Sequence, residues 1–266
     1  MFSKRTLFLE IIMDNILKFN LFNVDFIVNN DKNQWDGGLG ISEGNWEIET
    51  FKVLDYVKNK QKNAIDIGAW IGPISIWMSK NFKNILSIEP DVVALKDLQK
   101  NLKLSNCDNV WILKNPIFNE DSEIFFGPNK NEDWLNKAGL GESVSQTKLI
   151  SGDVNDYKVN AISLSTLEKT INNFFPLSEV SFVKVDIEGG EEFILEELLT
   201  MGKKYKWSLL ISFHIDWWEN KSIERFNYLF NDVKEIRFNS IDFTNQNFDI
   251  IELLKNNPYA SIHFKY

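Results

Sequence analysis

Asp66, Gly68, Gly72 and Glu89 form the most informative constellation in this chain. Ala64-Ile65-Asp66-Ile67-Gly68 reads as a short apolar strand running into a turn that glycine makes cheaply, with Gly72 where the next helix should begin. Backbone bare of side chains at both glycines lets a ligand sit against the helix N-terminus, whose free N–H groups point at it. Asn84-Ile85-Leu86-Ser87-Ile88 reads as a second strand and delivers Glu89 at its carboxyl end, with Pro90 stopping the ladder. An acid roughly 20 residues beyond a glycine turn can accept hydrogen bonds from both hydroxyls of a ribose. These residues suit an adenosine-containing cofactor.

The glycine spacing narrows the choice. A dinucleotide fingerprint needs G-x-G-x-x-G, because the pyrophosphate demands bare backbone at close approach. Gly68-Ala69-Trp70-Ile71-Gly72 instead puts a bulky Trp70 where the second glycine would be, with no third glycine in register. Asp66 adds a negative charge, which repels phosphate and suits a sulfonium or its amino group. The pattern favours S-adenosylmethionine over NAD. A purely structural strand–turn–helix with an incidental Glu89 stays open.

A second chemical group lies downstream. Asp186 follows the apolar run of residues 180–185, at a strand end where open α/β sheets place their ligands. Glu188 lies in the turn beyond it, and His214 ends the next strand. Histidine titrates nearest neutrality of all side chains, and this one is one of 2 in the chain. Plainer roles compete. His214 could be satisfied by backbone, Asp186 could cap the following helix, and Glu191 and Glu192 could be favourable first-turn charges. Lys184 points away from Val183 and Val185, within reach of Glu188 or Glu191. Asp186, Glu188 and Asp216 could also hold magnesium. Their spacing is not dense, and no metal is assigned. His263 is given no role.

Strands and helices must position these groups. Residues 1–44 read as an N-terminal extension with an apolar, helix-like start, a strand near 21–28, and a turn at Asp36-Gly37-Gly38-Leu39-Gly40. The domain proper is residues 45–266. Helical periodicity covers 46–57 and 92–104, with strands at 110–113 and 118–126. Residues 127–160, rich in Gly, Asn, Asp and Ser, read as an excursion over the sheet face that could close on substrate. Alternation then resumes. Strands fall at 161–164, 180–185, 207–213, 233–238 and 260–264, with helices from 166, at 191–201 and around 217–230. That order implies right-handed crossovers and a mostly parallel sheet covered on both faces. The last strand, arriving after Pro258, could insert antiparallel.

Composition sets outer limits. A length of 266 residues suits one large α/β domain with an extension. A net charge of -9 argues against nucleic acid as partner, which would need a basic face. Lys203, Lys204 and Lys206 form only a small basic patch. The one cysteine, Cys107, excludes an intramolecular disulfide and fits a reducing, cytoplasmic setting. Glu10 and Asp14 interrupt the apolar start, and no stretch approaches the roughly 20 apolar residues of a membrane span. The extension could serve as a lid or as the arm of a homodimer.

With these motifs in order, the chain resembles the FkbM-type methyltransferases, within the Rossmann-like class I S-adenosylmethionine-dependent enzymes. The resemblance rests on Asp66-Ile67-Gly68-Ala69-Trp70-Ile71-Gly72, Ile88-Glu89-Pro90, Lys184-Val185-Asp186-Ile187-Glu188-Gly189-Gly190-Glu191 and Phe213-His214, and covers about residues 45–215. It implies a mostly parallel seven-stranded sheet with helices on both faces and an antiparallel last strand. It also implies methyl transfer to a hydroxyl of a small molecule or glycan, a sugar favoured by Trp217 and Trp218 near a strand end. Asp66, Gly68, Ala69 and Gly72 would line the methionine end of the cofactor, and Glu89 with Pro90 the ribose. Glu47 resembles an acid that members carry before the first strand, and Asp186 would border the cofactor too. Gly141-Glu142-Ser143-Val144-Ser145 is similar to a Gly-x-Ser-Ser turn, with Val144 displacing the second serine. Trp70 stands where asparagine is common. Methyl transfer to a hydroxyl needs alignment and a base, roles expected of His214 as general base, Asp186 as its orienter or alternative, and Glu188 beside them. An NAD-dependent oxidoreductase and a non-catalytic binding protein of the same fold are the competing readings.

Overall fold

Short runs of β-branched and aliphatic residues alternate with helical periodicity, and the chain folds accordingly. The computed structural model describes residues 15–36, 40–128, 145–148, 156–220, 222–231, 233–238, 241–244 and 249–266. In chain order the first elements are β1 (Ile16–Leu21), β2 (Val24–Asn29), α1 (Ile48–Val57), β3 (Asn63–Ile67), α2 (Pro73–Asn81), β4 (Ile85–Ile88), α3 (Ala94–Leu104) and β5 (Val110–Leu113). Then come β6 (Ile117–Phe118), β7 (Ser122–Pro128), β8 (Ser145–Lys148), β9 (Tyr157–Ser163), α4 (Leu164–Ile171), β10 (Val180–Val185), α5 (Glu191–Tyr205) and β11 (Ser208–Ser212). The chain closes with β12 (Glu235–Phe238), β13 (Ile241–Thr244), α6 (Ile250–Asn256) and β14 (Ser261–Lys265).

The central sheet runs β13-β12-β14-β11-β10-β3-β4-β5. β5, β4, β3, β10 and β11 are parallel neighbours, and β14 inserts antiparallel between β11 and β12. These make the expected seven-stranded class I sheet. The hairpin strand β13 lengthens its edge by an eighth. β3 and β4 are buried along their whole length, as strands covered on both faces must be.

Three local expectations change. The strands expected at 118–126 and 161–164 fall instead in β6, β7 and β9 of a separate four-stranded sheet, ordered β6-β9-β7-β8, and Leu164 already opens α4. The strand near 21–28 is half of the β1–β2 hairpin, whose turn residues Phe22 and Asn23 both have positive φ (46° and 62°), the twist a two-residue hairpin needs. The helix expected around 217–230 is two 3-10 segments, Ile215–Trp217 and Glu224–Phe230. Trp218 breaks it, turning extended (ψ 142°) to bury its ring against Phe213 and Phe226.

The helix-like start at 1–14, the glycines at 37–38, the excursion through Gly139, Gly141 and Gly152, and the turn at 141–144 lie outside the described residues. The hairpin docks on α3, where Asn101 Oδ1 accepts from Asn29 N–H (2.8 Å) and Ser105 bonds Ile27. Among the described residues no helix is long and apolar enough to cross a membrane.

Candidate active site

The carboxyl ends of β4, β3, β10 and β11 open side by side into a cavity of about 430 Å³, within the usual range for a small-molecule site. Gly68 shapes its floor. At φ 84° an added Cβ would lie 1.7 Å from the Asp186 carbonyl oxygen, so only glycine lets the β3 and β10 turns cross. Backbone bonds then stitch the strand ends, Asp186 N–H to Ile67 O and Gly68 N–H to Ile88 O, both 2.9 Å.

Glu89 is clamped by the main chain. Its carboxylate accepts from Trp70 N–H and Asp91 N–H, each at 2.7 Å. The first of these requires Trp70 in the left-handed region (φ 48°). Burial nonetheless pushes its carboxyl up to about 8. Beyond Glu89 the cavity is closed by Pro116, Ile117, Phe126 and Thr147, the last three from the second sheet. Tyr157 pins that sheet to the loop after Glu89 by donating to Pro90 O at 2.7 Å.

The other end is a charge cluster. Lys184, only 3% exposed, reaches Asp186 Oδ2 at 3.2 Å and Asp66 Oδ1 at 3.8 Å, and donates to Gly68 O at 3.1 Å. Strand register explains this, since Lys184 pairs with Asp66 across β10 and β3. The expected partners Glu188 and Glu191 are not the ones it takes. Burial opposes charge on Asp186, but Lys184 and His214 outweigh it and hold that carboxyl low.

His214 stands among three acids: Nε2 is 3.3 Å from Glu188 and 3.8 Å from Asp186, and Nδ1 is 3.3 Å from Glu191. Burial favours the neutral ring, yet these carboxylates, Glu188 foremost, raise it to about 10. Glu188 itself sits in the left-handed region (φ 56°), and burial drives it up to about 8. The His214 ring stacks on Trp217 (5.1 Å, 17°), and Tyr259 meets both edge-on. Glu47, in a left-handed turn ahead of α1, is pushed to about 7 by burial first and Asp186 second.

Of the residues expected from sequence, Glu47, Gly68, Ala69, Glu89, Pro90, Asp186, Glu188 and His214 all line this cavity. Asp66 and Gly72 do not. Asp66 is fully buried beneath the turn, accepting from Ser75 at 2.5 Å, and Gly72 packs 2.8 Å (from an added Cβ) against Leu98. Trp218 is buried, so Trp217 alone of the pair faces the cavity. Asp216 is exposed and apart from it. Asp186, Glu191 and His214 offer donor atoms within 4.8 Å of one another, already engaged by Lys184, by each other and by backbone N–H groups. Sequence reading missed Trp46, Tyr259, Phe126 and Thr147, which no spacing connects to the motifs.

The lining suits S-adenosylmethionine. Two buried oxygens, Glu47 Oε2 and Asp186 Oδ1, have no hydrogen-bond partner among the described residues. Each calls for a donor, as an ammonium group supplies. Carboxylates outnumber cations around the cavity, which favours a sulfonium over a pyrophosphate.

The profile of the "Methyltransferase FkbM domain" family matches residues 66–257. No curated protein matches. Among solved structures, methyltransferase FkbM from Methylobacillus flagellatus KT is 15% identical, covering 77% of this chain and 44% of its own, with a TM-score of 0.44. The chain thus spans less than half of that protein. A Streptococcus mutans protein in complex with SAH is 13% identical, covering 82% and 97%, with a TM-score of 0.44. An rRNA methylase from Streptococcus thermophilus is 9% identical, covering 81% and 92%, with a TM-score of 0.44. The acceptors of such distant proteins do not transfer to this chain.

Proposed function

The chain belongs to the FkbM methyltransferase domain family, and from that premise we propose that it methylates a hydroxyl of a small molecule or glycan, a sugar favoured. Its cofactor is S-adenosylmethionine, which supplies an electrophilic methyl group on a sulfonium when bound. The observation that carries the reading is one cavity shared by two sets of groups, Gly68 and Glu89 at one end and Asp186, Glu188 and His214 at the other.

Strand order supports an assignment of the ends. Neighbouring strands lie about 4.8 Å apart, so from β4 to β11 the cavity spans roughly 14 Å. Glu89 on β4 would hold the ribose hydroxyls. The base would then lie toward β5, between Pro90, Ile117 and Phe126, where the Thr147 hydroxyl also lacks a partner among the described residues. Glu47 and Asp186 would take the ammonium. The acceptor is left with Trp217, Tyr259 and Trp46 as flat apolar walls and with carboxylates for its hydroxyls, a combination that suits a sugar ring.

The protonation states redistribute the catalytic roles. At neutral pH the His214 ring already carries its extra proton, so it has no lone pair to offer. The base assigned here is Glu188, which sheds its own proton as pH rises through about 8. His214 stays protonated to about 10, so the pair is competent on the alkaline side of neutrality. The Glu188 carboxylate takes the acceptor proton, and the adjacent imidazolium steadies the charge it holds beforehand. Asp186, tied to Lys184, keeps both groups in place.

The test begins with thermal-shift titration against S-adenosylmethionine, S-adenosylhomocysteine, NAD and NADP. A ligand at about 100 times its dissociation constant stabilises the fold by roughly 2.7 kcal/mol. A shift with the two adenosyl sulfur ligands alone is expected, followed by labelled methyl transfer onto hydroxylated acceptors, sugars first. A response to NAD only would sink the reading.

A further inference from the structure

Glu191 is almost fully buried, at 1% exposure, and its two oxygens serve four donors from two segments, 187–189 and 214–218. Oε1 accepts from Ile187 N–H at 2.9 Å and faces His214 Nδ1 at 3.3 Å. Oε2 accepts from Gly189 N–H at 3.0 Å and Trp218 Nε1–H at 3.4 Å. A first-turn acid that only complements the helix dipole would sit at the surface and bind no distant ring. This one is the first residue of α5 and is aimed inward.

Those four donors surround the acceptor half of the cavity. Ile187 and Gly189 flank Glu188 and fix the left-handed turn (φ 56° and 95° at residues 188 and 189) that holds its carboxylate beside His214. A bond at Nδ1 fixes the imidazole, so that Nε2 is the atom turned to Glu188 and Asp186. Trp218 anchors the segment carrying Trp217, whose ring lies on the imidazole. Of the four, only Ile187 also touches the Gly68 end, through its side chain and not through the N–H that Glu191 binds.

We propose that Glu191 is a positioning residue that assembles the acceptor half of the site, holding Glu188, His214 and Trp217 in register while leaving the cofactor half to its own backbone bonds. The proposal rests on the methyltransferase reading for its consequence, not for its geometry. A protonated ring bonded through Nδ1 turns its Nε2–H toward Glu188 and Asp186, and on titration it keeps the Nδ1 proton.

The imidazole nitrogens can be read directly, since the chain has 2 histidines and His263 is fully buried away from the cavity. Nitrogen NMR on histidine-labelled protein should show His214 with a hydrogen-bonded Nδ1 proton. Glu191→Gln should abolish that signature and lower the His214 titration midpoint by about one unit or more, as loss of a close carboxylate does. Affinity for S-adenosylhomocysteine by calorimetry should change less than about threefold, within roughly 0.7 kcal/mol. An unchanged His214 spectrum in the variant, or a parallel collapse of S-adenosylhomocysteine binding in a folded variant, overturns the proposal. Should Glu191→Gln not fold, the native spectrum taken above the His214 midpoint decides, since a neutral ring protonated at Nε2 instead of Nδ1 contradicts it outright. Failure of the native protein to bind S-adenosylhomocysteine would sink the cofactor assignment while leaving the spectral result intact.

Discussion

The two ends of the cavity are built by different means. At the end proposed for the cofactor, Glu89 is fixed by two main-chain N–H groups and Gly68 by a carbonyl that leaves no room for a side chain. At the end proposed for the acceptor, Asp186, Glu188, Glu191, Lys184 and His214 hold mainly one another. A backbone-built end tolerates little change in shape but does not depend on any one side-chain charge. A charge-built end keeps its shape after conservative substitution and loses its chemistry.

That contrast makes separable predictions. The largest effect is expected at the acceptor end: Glu188→Gln or His214→Ala should cut methyl transfer by about 10²–10⁴-fold, the usual worth of proton transfer by a positioned group. Calorimetric affinity for S-adenosylhomocysteine should survive both. Turnover and affinity falling together would erase the division. Next in size, Gly68→Ala should destabilise the fold by about 3 kcal/mol or more in urea unfolding, because a Cβ there collides with main chain at positive φ. A third variant, Glu89→Ala, should weaken S-adenosylhomocysteine by roughly 10–100-fold, the cost of unpairing buried polar groups. At saturating cofactor its turnover should stay near that of the native protein.

The same contrast explains what could be read from the chain alone. Gly68, Glu89 and the strands that carry them are local in sequence, because a turn and a strand end write themselves into adjacent residues. The parallel order and the inserted β14 followed from alternation and from Pro258. What stayed hidden was pairing across strands. Lys184 turns to Asp66 because β10 and β3 align those two residues, and nothing in either motif states that register. Asp66 looked like a cofactor ligand and is instead buried below the turn. Trp217 and Trp218 are neighbours with opposite fates, decided by one extended residue after a 3-10 turn. Thr147 and Phe126 come from a second sheet that the alternation pattern merged with the first.

The smallest effect is a pH dependence of stability, and it tells which end carries the strained charges. Burial raises Glu89 and Glu188 to about 8 in the folded chain, and neighbouring carboxylates raise His214 to about 10 against the pull of burial. All three therefore bind protons more tightly folded than unfolded. Each contributes stability that is complete below its ordinary value, near 4.5 for the acids and 6.5 for the ring, and that is lost as pH rises through its folded value. Melting temperature without ligand should thus fall between pH 6 and pH 9, by roughly 2–4 °C for each kcal/mol surrendered. Glu188→Gln imitates the protonated acid at every pH, so it should match the native protein near pH 5 and melt above it near pH 9. If the slope is unchanged in Glu188→Gln but flattened in Glu89→Gln, the strained charge sits at the cofactor end, and the main chain that clamps Glu89 sustains the greater electrostatic cost.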